Sequence, residues 1–162
     1  MSGAAIHIRL DDHVVIQALA QAAARAADLT PLLDNIGASL VTSTQMRFER
    51  EQGPDGQAWP PSIRALIEGG KTLRDHNQLY GSITHVASAN GVEVGSNVLY
   101  AAVHQFGATI EAKNAKTLKF KVGGRYVSKE RVTIPARPFL GIDDGDRAMI
   151  AETVSEWLEA LP

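Results

Sequence analysis

Apolar positions divide the N-terminal third of the chain into one strand and two helices. Loose alternation from Ala4 to Leu10 predicts a short strand. An alanine-rich helix is predicted over Val14 to Ala27, and a second helix over Pro31 to Glu51, with Thr30 as its N-cap. The apolar face of the second helix is assigned to Leu33, Ile36, Leu40 and Thr44.

The stretch after these helices is rich in turn-forming residues. Gly53 to Pro61 surrounds a single tryptophan, Trp59. This side chain either lies exposed in the loop or closes one end of the core, and burial is the commoner state of tryptophan. A short helix is predicted from Ser62, and another from Thr72 to Ser82.

Two hairpins and a short helix are predicted in the second half. Ile83–Ala89 and Val92–Val94 flank Asn90-Gly91, which is a strong hairpin signal. Tyr100–Phe106 reads as a helix closed by Gly107. A second hairpin is predicted from Thr117–Val122 and Arg125–Val132 around two glycines.

The chain closes with a predicted amphipathic helix that ends at Leu161 and is capped by Asp143 or Asp144. Its apolar face is assigned to Met149, Ile150, Val154, Trp157, Leu158 and Leu161. The fold class is therefore α+β: two N-terminal helices, an antiparallel sheet of hairpins, and a C-terminal helix packed on the sheet. We expect one domain over residues 1–162, with a basic hairpin protruding from it over residues 113–132.

The segment from Ile134 to Ile142 reads I-P-A-R-P-F-L-G-I, and we call it the strap. Each proline fixes its own φ and disfavours a helical residue before it, so the strap is predicted to be stiff and extended. It contains no nucleophile, base or metal-ligand set. Arg137 is expected to pair with a carboxylate, either of a neighbouring subunit or within its own chain at Asp143 or Asp144.

Composition narrows the classes of function. The chain has 162 residues, no cysteine and a formal net charge of -2, which excludes thiolate metal sites and argues against a generally basic nucleic-acid binder. No apolar run is long enough to cross a membrane, and no secretory signal is visible. We therefore expect no membrane contact.

Few residues suggest chemistry. His104 lies in a compact motif and is interpreted either as a general base or, more simply, as a half-buried histidine that hydrogen-bonds the backbone and fixes the helix end. Asp143, Asp144 and Asp146 superficially resemble a calcium loop, but the ligand spacing is wrong and capping is the better interpretation. We expect no cofactor, no metal and no catalytic residue.

The strongest charge feature is the second hairpin. An isolated cationic ribbon usually lies against its own sheet, a neighbouring subunit or nucleic acid, or else is a solvated edge protected by lysines. Nucleic acid is disfavoured because only Phe120 and Tyr126 are interleaved with the cations. The candidate basic residues are Lys116, Lys119, Lys121, Arg125, Lys129 and Arg131.

Four motifs together resemble the phage virion morphogenesis family of Mu-like phages and prophages. They are Gly53-Pro54-Asp55-Gly56-x-x-Trp59, Leu79-x-x-Ser82-Ile83, Val94-Gly95-Ser96-Asn97-x-x-Tyr100-Ala101-x-x-His104-Gln105-Phe106-Gly107, and Ile134-Pro135-Ala136-Arg137-Pro138-Phe139-Leu140-Gly141. Pro60-Pro61-Ser62-Ile63-Arg64 departs mildly from the usual family pattern after the tryptophan loop.

The resemblance implies a structural protein without catalysis, acting at the neck or tail end in tail completion or head-tail joining. Its expected partners are copies of itself in a ring, commonly a hexamer, and the proteins of the tail tube and neck. It would work in the bacterial host cytoplasm during assembly and remain in the virion. The candidate structural or interface residues are Trp59, Tyr100, His104, Gln105, Phe106, Arg137 and Phe139.

Overall fold

The computed structural model describes residues 27–112 and 116–160, together with Gln17 and Ala24. The predicted strand 4–10 and nearly all of the predicted helix 14–27 lie outside these residues. Within them the fold is α+β, as predicted, with helices, antiparallel hairpins and a C-terminal helix. No helix in this part of the chain is both long and apolar enough to span a bilayer.

Helix α1 (Thr30–Arg50) is the longest of the described helices. The predicted cap at Thr30 is wrong: the N-cap is Leu29, which makes no side-chain cap hydrogen bond, and Oδ1 of Asp28 accepts the Thr30 N–H at 2.9 Å. The buried stripe begins at Leu32 rather than Leu33, because residues spaced by four stay on one helix face. The stripe consists of Leu32, Ile36, Leu40 and Thr44, and continues into Arg47 and Phe48.

The segment after α1 contains two short helices. Helix α2 (Ile63–Glu68) is capped by Ser62, whose hydroxyl accepts the Ala65 N–H at 3.1 Å. The helix predicted over residues 72–82 is wrong for its first half, and only α3 (Gln78–Gly81) forms. Leu73 and Asn77 have φ of 64° and 58°, and such left-handed residues interrupt helical hydrogen bonding.

The first hairpin pairs β1 (Ile83–Ser88) with β2 (Gly91–Ser96). Its two-residue turn is Ala89-Asn90, one position earlier than predicted, because Gly91 already pairs with Ser88. The hairpin lies against α1 at Gly37, where a Cβ atom would come within 2.4 Å of the His85 ring. Glycine inside this helix therefore permits the close approach of the hairpin.

The second hairpin is longer than predicted. After helix α4 (Ala101–Phe106), strand β3 (Ala108–Glu111) pairs with β6 (Arg131–Ile134), and β4 (Leu118–Val122) pairs with β5 (Arg125–Lys129). Between the two ladders the Ala112 N–H donates to the Glu130 carbonyl at 3.2 Å, and the ladders form separate two-stranded sheets. The prediction that Arg131 and Val132 continue the strand opposite residues 117–122 is wrong, because the unpredicted β3 takes them.

Helix α5 (Asp144–Glu159) closes the fold. Its apolar residues pack on Leu32, Ile36 and Leu40 of α1, where Val92 and Val94 of the first hairpin also pack. The helix therefore meets the hairpin through α1. Leu158 was assigned to the apolar face but is 54% exposed, and Leu161 lies outside the described residues. The packed residues are Met149, Ile150, Val154 and Trp157.

A second core cluster joins distant parts of the sequence. Phe48 from α1 and Phe139 from the strap are fully buried, with their ring centroids 5.2 Å apart. Four more buried residues complete this cluster. They are Trp59 from the loop before α2, Leu79 from α3, Ile83 from β1 and Ala101 from α4. The strap is therefore part of the core.

Candidate functional site

The strap is held chiefly by side chains rather than by a neighbouring strand. The amide of Gln105, in α4, binds it on both sides. Its Oε1 accepts the N–H groups of Phe139 and Leu140 at 3.0 Å each, and its Nε2 donates to the Leu140 carbonyl at 2.9 Å. One glutamine thus satisfies three backbone groups that belong to none of the described strands.

Trp59 binds the strap from the loop before α2. Its ring is buried and packs edge-on against Phe48 at 5.4 Å between centroids. Its Nε1 donates to the Pro138 carbonyl at 2.9 Å. Of the two interpretations of Trp59, the structure shows the buried one, with the indole N–H satisfied as a buried tryptophan requires.

Arg137 turns back into its own chain. Its backbone N–H donates to the His104 carbonyl at 2.7 Å, and its Nε donates to the Pro60 carbonyl at 2.6 Å. The internal ion pair with Asp143 or Asp144 is therefore wrong. Arg137 is buried and binds carbonyl groups, and this burial lowers the pKa of its guanidinium.

The strap also approaches the end of α4 closely. Gly107 has φ of 74°, and a Cβ atom there would lie 2.9 Å from the Ala136 nitrogen. A glycine is required at this position because of both its φ and this backbone contact.

Arg47 holds the other end of the strap, and sequence reasoning missed it. Its Nη1 donates to the carbonyls of Phe139 and Gly141 at 3.2 and 2.8 Å. Its Nη2 forms ion pairs with Asp143, at 2.9 Å, and with Asp146. Arg47 lies on the buried face of α1, three positions after Thr44. A cation on an otherwise apolar helix face was the sequence signal that could have identified it, because a buried cation needs a partner.

Asp143 and Asp146 form the cap of α5. Oδ1 of Asp143 accepts the Asp146 N–H at 2.8 Å, and Oδ2 of Asp146 accepts the Asp143 N–H at 3.0 Å. The hydrogen bond from the Asp146 backbone, and then Arg47, hold the pKa of Asp143 below its usual value. The carboxylates thus cap a helix. Across the described ranges, no group of three or more acidic or histidine side chains could hold a metal ion.

His104 lines a cavity of about 370 Å³ with Tyr100 and Asp75. Its ring stands edge-on to Tyr100, at 5.8 Å between centroids. Its Nδ1 is buried without a hydrogen-bond partner among the described residues. The prediction that this ring hydrogen-bonds the backbone is therefore wrong as far as Nδ1 is concerned. Its backbone carbonyl instead accepts the Arg137 N–H. Burial, and then the charge of Arg137, lower the pKa of His104.

The lowered pKa of His104 predicts a pH dependence of folding. The unfolded chain takes up this proton near pH ~6.5, whereas the folded chain resists it until lower pH. Stability should therefore fall as the pH drops through 6.5 and level off below the folded pKa. We expect the loss between pH 7.5 and 5, measured by urea unfolding, to be smaller in His104→Gln. Exposed His76→Gln is the matched control and should retain the full loss; equal losses in the two variants contradict the assignment.

The sequence candidates fall into three environments. Trp59, Gln105, Arg137 and Phe139 come together around the strap. Tyr100 and His104 lie beside one cavity. Phe106 lies at the surface, 78% exposed.

The cationic ribbon, which we define as β4–β5, carries its charges outward. Its Gly123 N–H donates to Oε1 of Glu68 at 3.0 Å, so the tip is bound to α2. Arg131 does not belong to the ribbon; it lies on β6 and pairs with Glu111 at 3.6 Å. The exposed cations of the ribbon are Lys119, Lys121, Arg125 and Lys129. Lys116, two positions before the ribbon, is exposed as well.

The strap is therefore bonded within its own chain, whereas the ribbon leaves its charges exposed. The model of the phage virion morphogenesis family matches residues 10–159, and the chain belongs to this family. It is thus a structural protein of phage virion assembly.

Two curated relatives agree with this family. The chain is 32% identical to "Mu-like prophage FluMu G protein 2" of Haemophilus influenzae, over 90% of this chain and 88% of that one. It is 28% identical to "Putative capsid assembly protein G" of Escherichia phage Mu, over 77% of this chain and 76% of that one. No solved structure matches the chain.

Proposed function

We propose that this protein completes the phage tail or joins head to tail, as a ring of copies at the neck or tail end. It acts without catalysis, assembles in the host cytoplasm and stays in the virion. A hexamer is the expected ring, with the tail tube and neck proteins as its other partners. The observation that carries the proposal is that the strap is fixed within its own chain while the ribbon cations remain exposed.

A ring requires heterologous contacts, in which two different surfaces of the same chain meet. The strap leads from β6 into α5, so its side-chain anchors fix the direction of the ribbon relative to that helix. Fixed relative directions allow successive copies to turn by the same angle, and a ring closes when that angle divides a full turn without a rise along the axis.

The test is deletion of the gene in an inducible lysogen, with electron microscopy of the lysate. We expect separate heads and tails, or tails of irregular length. A plasmid copy of the wild-type gene should restore joined particles. Normal particles in the deletion strain contradict the proposal.

A second candidate is a nucleic-acid-binding module, favoured by one observation. Lys121 and Tyr126 stand directly opposite each other on the ribbon and are both exposed, so a base could stack beside a phosphate contact. This function requires DNA affinity that falls steeply with salt. A gel-shift series between 50 and 200 mM salt checks it, and binding that is absent at low salt removes this candidate.

A further inference from the structure

The two faces of the ribbon differ: one, the cationic face, is polar and carries Lys119 and Lys121, and the other has an apolar centre with Arg125 and Lys129 at its ends. Its register places Lys119 opposite Ser128 and Lys121 opposite Tyr126, so these four share a face. All four are exposed, and Tyr126 is 86% exposed. The other face carries Leu118, Phe120 and Val127, which are partly buried.

The ribbon is held at its tip, and its cationic face has no ion-pair partner among the described residues. Leu118, Lys119 and Phe120 line an open groove of about 320 Å³ with residues of β3 and β6. At the tip, Gly123 approaches Ile67 so closely that a Cβ atom would lie 2.6 Å from its Cγ2. Neither Lys119 nor Lys121 forms an ion pair with any side chain that the structure describes.

Helix α5 presents the opposite charge. Glu152, Glu156 and Glu159 follow one another at spacings of four and three, and all three are exposed. They also lack an ion pair with a described side chain. Like charges at such spacing are unfavourable for an isolated helix. In this glutamate stripe, Glu152 and Glu159 lie outside the face that packs on α1, and Glu156 lies at its edge, where it lines an open groove with Leu32 of α1.

The charge of the whole chain divides in the same way. Residues 116–131 contain six lysines and arginines against Glu130, a net charge of +5. Because the formal charge of the whole chain is -2, the remainder carries -7. A second copy of this chain is therefore a partner of complementary charge.

The spacing of the charges also matches. Lys119 and Lys121 are two residues apart on a strand, which is about 6.6 Å. Glu152 and Glu156 are one helical turn apart, which is about 6 Å along the axis. We infer that the cationic face of the ribbon in one copy docks on the glutamate stripe of α5 in the next copy. The contact is heterologous and deepens the proposed ring, on which it rests.

Cysteine cross-linking tests this contact, because the chain has no cysteine of its own. Tyr126→Cys copies are mixed with Glu156→Cys copies and treated with a short bismaleimide. We expect a covalent dimer of one copy of each kind. Glu93→Cys, at an exposed position of β2, replaces Glu156→Cys in the control and should give none. No dimer, an equal yield with the control, or a chain that stays monomeric at every concentration overturns the inference.

Charge reversal gives an independent readout by sedimentation. Lys119→Glu/Lys121→Glu and Glu152→Lys/Glu156→Lys should each weaken self-association at least tenfold, without loss of folding by circular dichroism. Mixing the two variants should restore association, since each then offers the other a complementary surface. Failure of the mixture to recover overturns the inference. A glutamate-stripe variant that associates normally overturns it too, even if the ribbon variant alone loses DNA binding.

The result can be separated from that of the gene deletion. If the deletion strain gives unjoined heads and tails but the cross-link does not form, the proposed function is supported and the proposed interface is wrong. Normal particles remove the proposed function, whatever the cross-link shows.

Discussion

Replacing Phe139 with alanine should destabilise the protein by about 3–5 kcal/mol, the usual cost of removing a buried phenylalanine. The ring is 0% exposed and packs 5.2 Å from Phe48, between centroids. Because Phe139 joins the strap to α1, the cavity would open where distant segments meet. Urea unfolding followed by tryptophan fluorescence measures the effect.

Phe106→Ala is the matched control, since the same change is made in another family motif at a side chain that is 78% exposed. Its stability should stay within about 0.5 kcal/mol of wild type. A loss for Phe139→Ala as small as that expected for Phe106→Ala would show that Phe139 is not a core residue. A ring-assembly defect in Phe106→Ala with normal stability would instead identify Phe106 as an interface residue.

Arg47→Met should cost about 3–5 kcal/mol, because it leaves a buried carboxylate without its cation. Asp146 would lose its partner, and the carbonyls of Phe139 and Gly141 would lose their donors. Methionine keeps much of the volume, so the loss reports polar contacts more than a cavity. Urea unfolding at pH 7 gives the change in stability.

Two further variants separate charge from packing. Exposed Arg50→Met, one turn further along α1, should change stability by less than about 0.5 kcal/mol. Asp146→Asn should cost much less in the Arg47→Met background than in wild type, since the uncompensated charge is then removed. Additive costs would contradict a direct Arg47–Asp146 pair.

The local elements followed from short-range patterns. The spacing of apolar residues predicted α1 and α5, and the aspartates predicted the cap of α5. Glycines predicted the end of α4 and the turn of the ribbon. The errors arose where the backbone conformation does not follow from the pattern of apolar and polar residues. The helix predicted from residue 72 fails because Leu73 and Asn77 are left-handed, which no apolar pattern reveals.

The strap shows the limit for the candidate site. Its stiffness follows from Pro135 and Pro138, and its motif identified the family. The partner of Arg137 did not follow, because the carbonyls of Pro60 and Pro61 are not distinguishable from any others in a sequence. Asp143 and Asp146 instead pair with Arg47, which lies more than ninety positions away in the sequence.

The sequence by itself determined the class of fold, most element positions and the family, because these depend on periodicity, turn residues and local motifs. Tertiary structure alone decided which side chains satisfy the strap, that β3 pairs with β6, and that Phe139 is buried while Phe106 is exposed. The reason is that buried polar groups must find partners in space, and the partners available there are set by packing between segments that are remote in the chain.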